Sequence, residues 1–169
     1  MKSKRAKGAL ASGLGLVALT ATYLTVPWEG VENKAYWDSL GKVWTVCAGE
    51  TKGVKKGDYY SDAKCLQMLQ TRLENDFHKP LQKCIATFDA APISVQASML
   101  DLSYNIGTGA ACSSSAAKRM REKNWPASCN AMTLFNRAGG KVVEGLKKRR
   151  EYGDAQRIGE LELCLAGLK

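Results

Sequence analysis

The chain is poor in metal ligands. It has one histidine, His78, and no CxxC pair among its cysteines. Structural zinc sites bring ligands in from short knuckles, so a metal centre is not expected. Four prolines and 16 glycines show no triplet period, which removes collagen-like and low-complexity readings. No internal repeat is visible, and no acidic excess: 25 basic residues face 16 acidic ones, a net charge of +9. Such a balance suits an anionic partner, whether nucleic acid, acidic membrane or acidic polymer. Hydrophobic residues at 45% and charged residues at 24% exclude a disordered chain, and 169 residues suffice for one domain with a real core.

What is present begins with six cysteines, Cys47, Cys65, Cys84, Cys112, Cys129 and Cys164. An even, spread-out set reads as disulfides in an oxidising compartment; the alternative is six buried thiols in a cytosolic core. The N-terminus favours export. Lys2, Lys4, Arg5 and Lys7 precede 19 uncharged residues, Gly8 to Val26. As one helix these would span about 28 Å, the depth of a bilayer core, with the basic flank held in the cytoplasm. Three glycines (Gly8, Gly13, Gly15), four alanines, Ser12, Thr20, Thr22 and Thr25 make insertion only marginally favourable. A permanent anchor, a cleaved signal peptide and a provisional anchor all remain open. Against cleavage, only the weak site Thr20-Ala21-Thr22 is found. Removing the four flanking cations leaves +5, so a purely charge-driven function loses ground. The expected division is an anchor over residues 1–27 and a second unit over 28–169.

Residues 29–60 are rich in glycine and aromatics, and Val43 to Val46 reads as a short strand in a small sheet. A short helix is expected between Glu29 and Asp38. Ser61 caps a helix whose Leu66, Leu69, Leu73 and Phe77 share one face and which Pro80 ends. Pro92 reads as the first residue of a helix carrying Val95, Met99 and Leu102, stopped by Gly107. Further helices are expected near 113–123 and 126–137, and a basic helical region over 142–165. The fold class is α+β, a small N-terminal β lobe before a larger helical lobe.

Two carboxylates with eight residues between them, Glu29 and Asp38, followed by Thr45 on a strand, could flank one cleft. Glycosidic hydrolysis needs one protonated carboxyl and one ionised carboxyl, and Trp28 and Val31 could build the apolar pocket that separates the two. The pattern Glu29-Gly30, Ala35-Tyr36-x-Asp38, Trp44-Thr45-Val46-Cys47-x-Gly49-x-Thr51 resembles the catalytic signature of the phage lysozymes, glycoside hydrolase family 24. Asp101 to Ala110 resembles the family's central helix and its turn. Cys112 to Ser115 resembles the start of the next helix, and Gly139-Gly140 with Gly145-Leu146 and Arg149-Arg150-Glu151 resembles its C-terminal signature.

The resemblance implies a lysozyme-like fold and an endolysin that cleaves the β-1,4 bond between N-acetylmuramic acid and N-acetylglucosamine in peptidoglycan. Glu29 would be the general acid, Asp38 would direct water to the anomeric carbon, and Thr45 would hold that water in an inverting reaction. Tyr104 and Ser115 would line the saccharide cleft; the plain alternative for Tyr104 is a helix-surface aromatic. No cofactor and no nucleic acid are implied, and the enzyme would be a monomer. The disulfides would join neighbours in order: Cys47–Cys65, Cys84–Cys112 and Cys129–Cys164.

Two departures stand out. Ser39 to Trp44 holds one residue more than the family has between Asp and Thr, so Lys42 is expected to bulge from the hairpin. Glu50 also stands where the family often has His, so an ion pair made by that His would be absent or reversed. The apolar N-terminus resembles the signal-anchor-release endolysins, which are exported uncleaved, tethered inactive to the inner membrane, then released to the periplasm. With residues 8–26 in the bilayer, Glu29 would be pinned at the membrane surface; once released, part of the segment would pack on the enzyme. The segment holds no cysteine, so no thiol switch can start there.

The remaining candidates read as ordinary structure. Glu32 is expected at the surface and His78 at a solvent-facing helix end. Lys147 to Arg150 is expected as a solvated helix face with an internal Arg pair. Competing functions are a lytic transglycosylase, which would not need Asp38 or Thr45, and a non-enzymatic basic protein that binds wall or membrane by charge.

Overall fold

The computed structural model describes residues 3–168. The chain opens with α1 (Lys4–Leu10), then a helical run made of α2 (Leu16–Thr20), a π turn (Ala21–Thr25) and α3 (Val26–Glu29). The turn between α1 and α2 uses Gly13 at φ +74°, a left-handed value that suits glycine. No helix among the described residues is long and apolar enough to cross a membrane. The expected anchor is therefore not a span in this state. Its Ala9, Leu19 and Leu24 are buried in a cluster with Ile158 and Leu163, and Ala21 is buried in the main core.

The small lobe is an antiparallel ribbon, β1 (Glu32–Asp38) with β2 (Val43–Cys47). The short helix expected after Glu29 is thus a strand: Gly30, at φ +76°, ends α3 and turns the chain into β1, where β-favouring Tyr36 and Trp37 lie. The register pairs Tyr36 with Thr45, Trp37 with Trp44 and Asp38 with Val43. A long helical run follows, α4 (Asp62–Arg72), a π turn (Leu73–His78) and α5 (Lys79–Cys84), with Ser61 as N-cap as expected. Pro80 does not end it. The π turn interrupts the α ladder just before, so Pro80 falls in the first turn of α5, where its missing N–H matters little.

The helical lobe is built around α6 (Ile93–Ile106), whose Val95, Met99, Leu100 and Leu102 are fully buried. Pro92 is its N-cap rather than its first residue, and Gly107 stops it. Around it lie α7 (Thr108–Ser113), α8 (Ser115–Arg121), α9 (Trp125–Met132), a two-residue ribbon β3 (Arg137–Ala138) and β4 (Lys141–Val142), α10 (Glu144–Arg150) and α11 (Glu160–Ala166). The expected continuous helical region 142–165 is two helices parted by a loop; Gly153 and Gly159 approach each other there with no room for a side chain on either. The three disulfides join neighbours in order: Cys47–Cys65 ties β2 to α4, Cys84–Cys112 ties α5 to α7, and Cys129–Cys164 ties α9 to α11.

Candidate active site

Glu29 is the last residue of α3, at the head of a cleft lined by Gly30, Val31, Glu32, Tyr36, Cys47, Ala48 and Gly49. Its carboxyl is 29% exposed, and its Oε1 accepts from Arg149 Nη1 at 2.6 Å. The guanidinium of Arg149 is almost fully buried and is clasped on its other side by Asp101, with Nε to Oδ2 at 3.1 Å and Nη2 to Oδ1 at 3.0 Å. Thr25 Oγ1, from the N-terminal run, donates to Asp101 Oδ1 at 2.8 Å. Burial alone would raise the Asp101 carboxyl, but the charge and hydrogen bonds of Arg149 outweigh it and hold the group below its ordinary range. Burial likewise opposes the charge on Arg149, and Asp101 more than restores it.

Asp38 closes β1. Its Oδ1 accepts the N–H of Leu40 at 2.9 Å, an Asx-type turn that shapes the four-residue hairpin tip. Lys42 takes φ +51° there, so the extra residue is absorbed in the turn; the pairing is in register from Tyr36 to Asp38 and shifts between Glu32 and Tyr36. Side chains alternate along a strand, so Asp38 shares its ribbon face with Tyr36 and with Thr45 opposite. Thr45 is buried, and its hydroxyl makes only a long 3.4 Å bond to the Val43 carbonyl. Glu29 and Tyr36 thus meet in one cleft. Asp38 and Thr45 continue the Tyr36 face but are not among the residues that line the cleft at Glu29.

The other candidates fall differently. Tyr104 stands behind the cleft wall: its hydroxyl donates to the Ala48 carbonyl, and its ring packs on Phe77 and under Arg72, whose Nη1 donates to Gly49 at 2.8 Å. Burial pushes the Tyr104 phenol up to about 12. Ser115 is exposed at the start of α8 and does not line this cleft. Val31 lines the cleft as expected, but Trp28 turns away, donating to the Ile158 carbonyl at 2.8 Å beneath Arg157. Glu32 is exposed, as expected. Glu50 Oε1 accepts the N–H groups of Thr51 and Lys52. His78 is not a solvent-facing helix end. The helix runs on past it, so its side chain is 15% exposed, pairs with Glu74 at 2.8 Å and packs on Phe88. Lys147 and Lys148 are exposed while Arg149 and Arg150 are buried, the internal Arg pair expected.

The residues behind Glu29 and Arg149 that sequence reasoning did not single out are Asp101, Glu160 and Thr25. One signal was available: Asp101 sits inside the apolar run Met99-Leu100-Asp101-Leu102, where a charge must be paired.

Comparison with known proteins identifies the family. The family model for phage lysozyme matches residues 26–152. The chain belongs to the phage lysozyme family, glycosidases that degrade peptidoglycan. It is 30% identical to the SAR-endolysin of Enterobacteria phage P21, over 98% of this chain and 97% of that protein. It is 34% identical to the SAR-endolysin of Pseudomonas phage phiKMV, over 93% and 88%. Among solved structures, an endolysin from Escherichia coli O157:H7 phage FAHEc1 superposes with a TM-score of 0.71 at 26% identity, covering 93% of this chain and 97% of that one. The active form of the P1 phage endolysin Lyz shares the fold, with a TM-score of 0.73 at 21% identity over 96% and 92%.

Proposed function

We propose that the protein is a host-lysis endolysin that hydrolyses the β-1,4 bond between N-acetylmuramic acid and N-acetylglucosamine by an inverting mechanism. Glu29 protonates the leaving oxygen, Asp38 directs water to the opposite face of the anomeric carbon, and Thr45 holds that water through its otherwise weakly bonded hydroxyl. The observation that carries this reading is Glu29 itself, a part-exposed carboxyl at the cleft, fixed by an arginine whose charge is already shared with a second carboxylate. Inversion requires room for a water between the two carboxyls.

The packed N-terminal run supports a released form. With residues 8–26 spanning the inner membrane, Thr25 could not reach Asp101 and Arg5 could not reach Glu162, whereas here both contacts are made. The tethered enzyme therefore lacks part of the support behind Glu29, and release to the periplasm supplies it.

Digesting purified sacculi and analysing the fragments tests the chemistry. Reducing muramic acid ends of inverted anomeric configuration are expected; 1,6-anhydro ends would make the protein a transglycosylase, and retained configuration would remove the inverting assignment. Fractionating expressing cells tests the tether. An uncleaved chain in the membrane fraction that moves to the periplasm on depolarisation is expected; a periplasmic N-terminus at or after Ala21 would mean a signal peptide.

A further inference from the structure

One face of the small-lobe ribbon carries Tyr36, Asp38 and Thr45. Side chains alternate along a strand, so Trp37 and its cross-strand partner Trp44 lie on the other face. Val46, two residues along β2 from Trp44, is buried with Ala35, Cys47 and Cys65, and Trp44 packs on that cluster. Outward from there the apolar surface is exposed. Trp37 meets Trp44 edge to face, with ring centroids 5.7 Å apart, and about half of it stays open to solvent. Leu40, at the hairpin tip, is almost wholly exposed, and so is most of Tyr59, which bridges to Lys34 on β1. An apolar stripe that overruns its own core in this way marks a contact surface.

The charge presented around the stripe is positive. Lys34, Lys42, Lys52, Lys55 and Lys56 are all exposed. Of the four acids in residues 31–60, three are turned onto backbone N–H groups: Asp38 on Leu40, Asp58 on Lys55, and Glu50 on Thr51 and Lys52. The fourth, Glu32, is exposed. Tryptophan, leucine and flanking lysines together suit a water–lipid interface. Indole sits at the headgroup level, leucine enters the acyl boundary, and lysine reaches the phosphates. A saccharide site is built differently, from aromatic faces ringed by fixed polar groups, whereas this tip offers an edge-on indole pair and Leu40.

We propose that this side of the small lobe is a membrane-contact surface. Trp37, Trp44 and Leu40 enter the headgroup layer of an anionic phospholipid bilayer, and the surrounding lysines pair with its phosphates. Trp37 follows Val26 by 11 residues, a reach of at most about 40 Å, so a chain tethered through residues 8–26 keeps the ribbon at the bilayer. There the contact holds the small lobe, with Asp38 and Thr45, against lipid, and leaving the membrane frees it for the wall. That last step rests on the tethered form, which cell fractionation tests separately; the contact itself is read with purified protein.

Co-sedimentation of the full chain with vesicles of phosphatidylglycerol and phosphatidylethanolamine, compared with phosphatidylcholine alone, tests the contact. Wild type is expected to bind the anionic vesicles about tenfold or more tightly than the neutral ones, with brominated phosphatidylglycerol quenching its tryptophan emission. Trp37→Ser combined with Leu40→Ser should weaken binding about tenfold or more. Lys34→Glu combined with Lys42→Glu should weaken it about tenfold at low salt and less at high salt. An unchanged Tm shows each variant folded; if the W37S and L40S pair does not fold, L40S alone decides, since the Leu40 side chain lies in solvent. Equal vesicle binding by wild type and the W37S and L40S pair would overturn the proposal, because the N-terminal run would then be the contact. So would loss of binding to chitooligosaccharides instead of vesicles, which would make the stripe a glycan surface. Self-association of wild type that the pair abolishes while vesicle binding persists would overturn it too, making the stripe an interface between copies.

Discussion

The two flanks of the cleft are built on opposite principles. Behind Glu29 lies a dry charge network assembled from four helices far apart in sequence: Arg149 to Glu29 spans 120 residues and Arg149 to Asp101 spans 48. On the other flank, Asp38 and Thr45 sit on one hairpin, held by contacts two residues long. Its tip is open, with Leu40 94% exposed and Trp37 52% exposed. A general acid must keep one geometry and one electrostatic setting, which buried, fully paired groups supply. A carboxylate that directs water needs solvent access, which a hairpin tip supplies. The lesson is that Glu29 is set by the whole fold, and Asp38 with Thr45 by local turn chemistry.

The first prediction concerns the local flank, since it bears on chemistry directly. Asp38→Asn is expected to lower lytic activity by about 10²–10⁴-fold with little change in Tm, checked by turbidity loss and by thermal unfolding. On the buried flank the loss should appear in stability as well. Asp101→Ala leaves the Arg149 cation without its main partner, and is expected to cost about 3–5 kcal/mol in chemical denaturation. An Asp101→Ala protein as stable as wild type would dissolve the contrast between the flanks.

Replacing Cys129 and Cys164 by alanine opens the link between α9 and α11, a 35-residue separation, and is expected to cost about 2–4 kcal/mol. The smallest effect belongs to Arg5, which docks the N-terminal run on Glu162 at 2.7 Å with its side chain 37% exposed. Burial would raise the Glu162 carboxyl, but bonds from Arg5, Ser3 and the Gly159 N–H bring it below its ordinary range. That contribution is complete above the ordinary glutamate range and is lost as pH falls through the lowered value. Arg5→Ala is expected to cost about 1 kcal/mol or less at neutral pH, with the difference from wild type shrinking in acid.

The same contrast explains what could be read from the sequence. The ribbon and the Ser61 cap follow from residues close in the chain, so turn and strand rules reach them, whereas Lys42, expected to bulge, lies inside the hairpin turn. The disulfide pairing and the roles proposed for Glu29, Asp38 and Thr45 came through the lysozyme resemblance. Asp101, Glu160 and Thr25 were out of reach because helical periodicity places a residue on a face without saying which distant side chain meets it. The N-terminal run reads both as a marginal anchor and, once released, as a segment packed on the enzyme. The glycines and alanines that make it a poor bilayer segment also let it break at Gly13 and pack closely against α6 and α11. Pro80 misled because a π turn, which periodicity does not signal, precedes it.

The most direct test of the account is clearing of outer-membrane-permeabilised Gram-negative cells by wild type and by Glu29→Gln, both shown to be folded by their Tm. Clearing by wild type and none by Glu29→Gln is the expected result. Equal clearing by the two proteins would contradict it, moving the acid elsewhere or replacing wall hydrolysis with charge-driven membrane disruption.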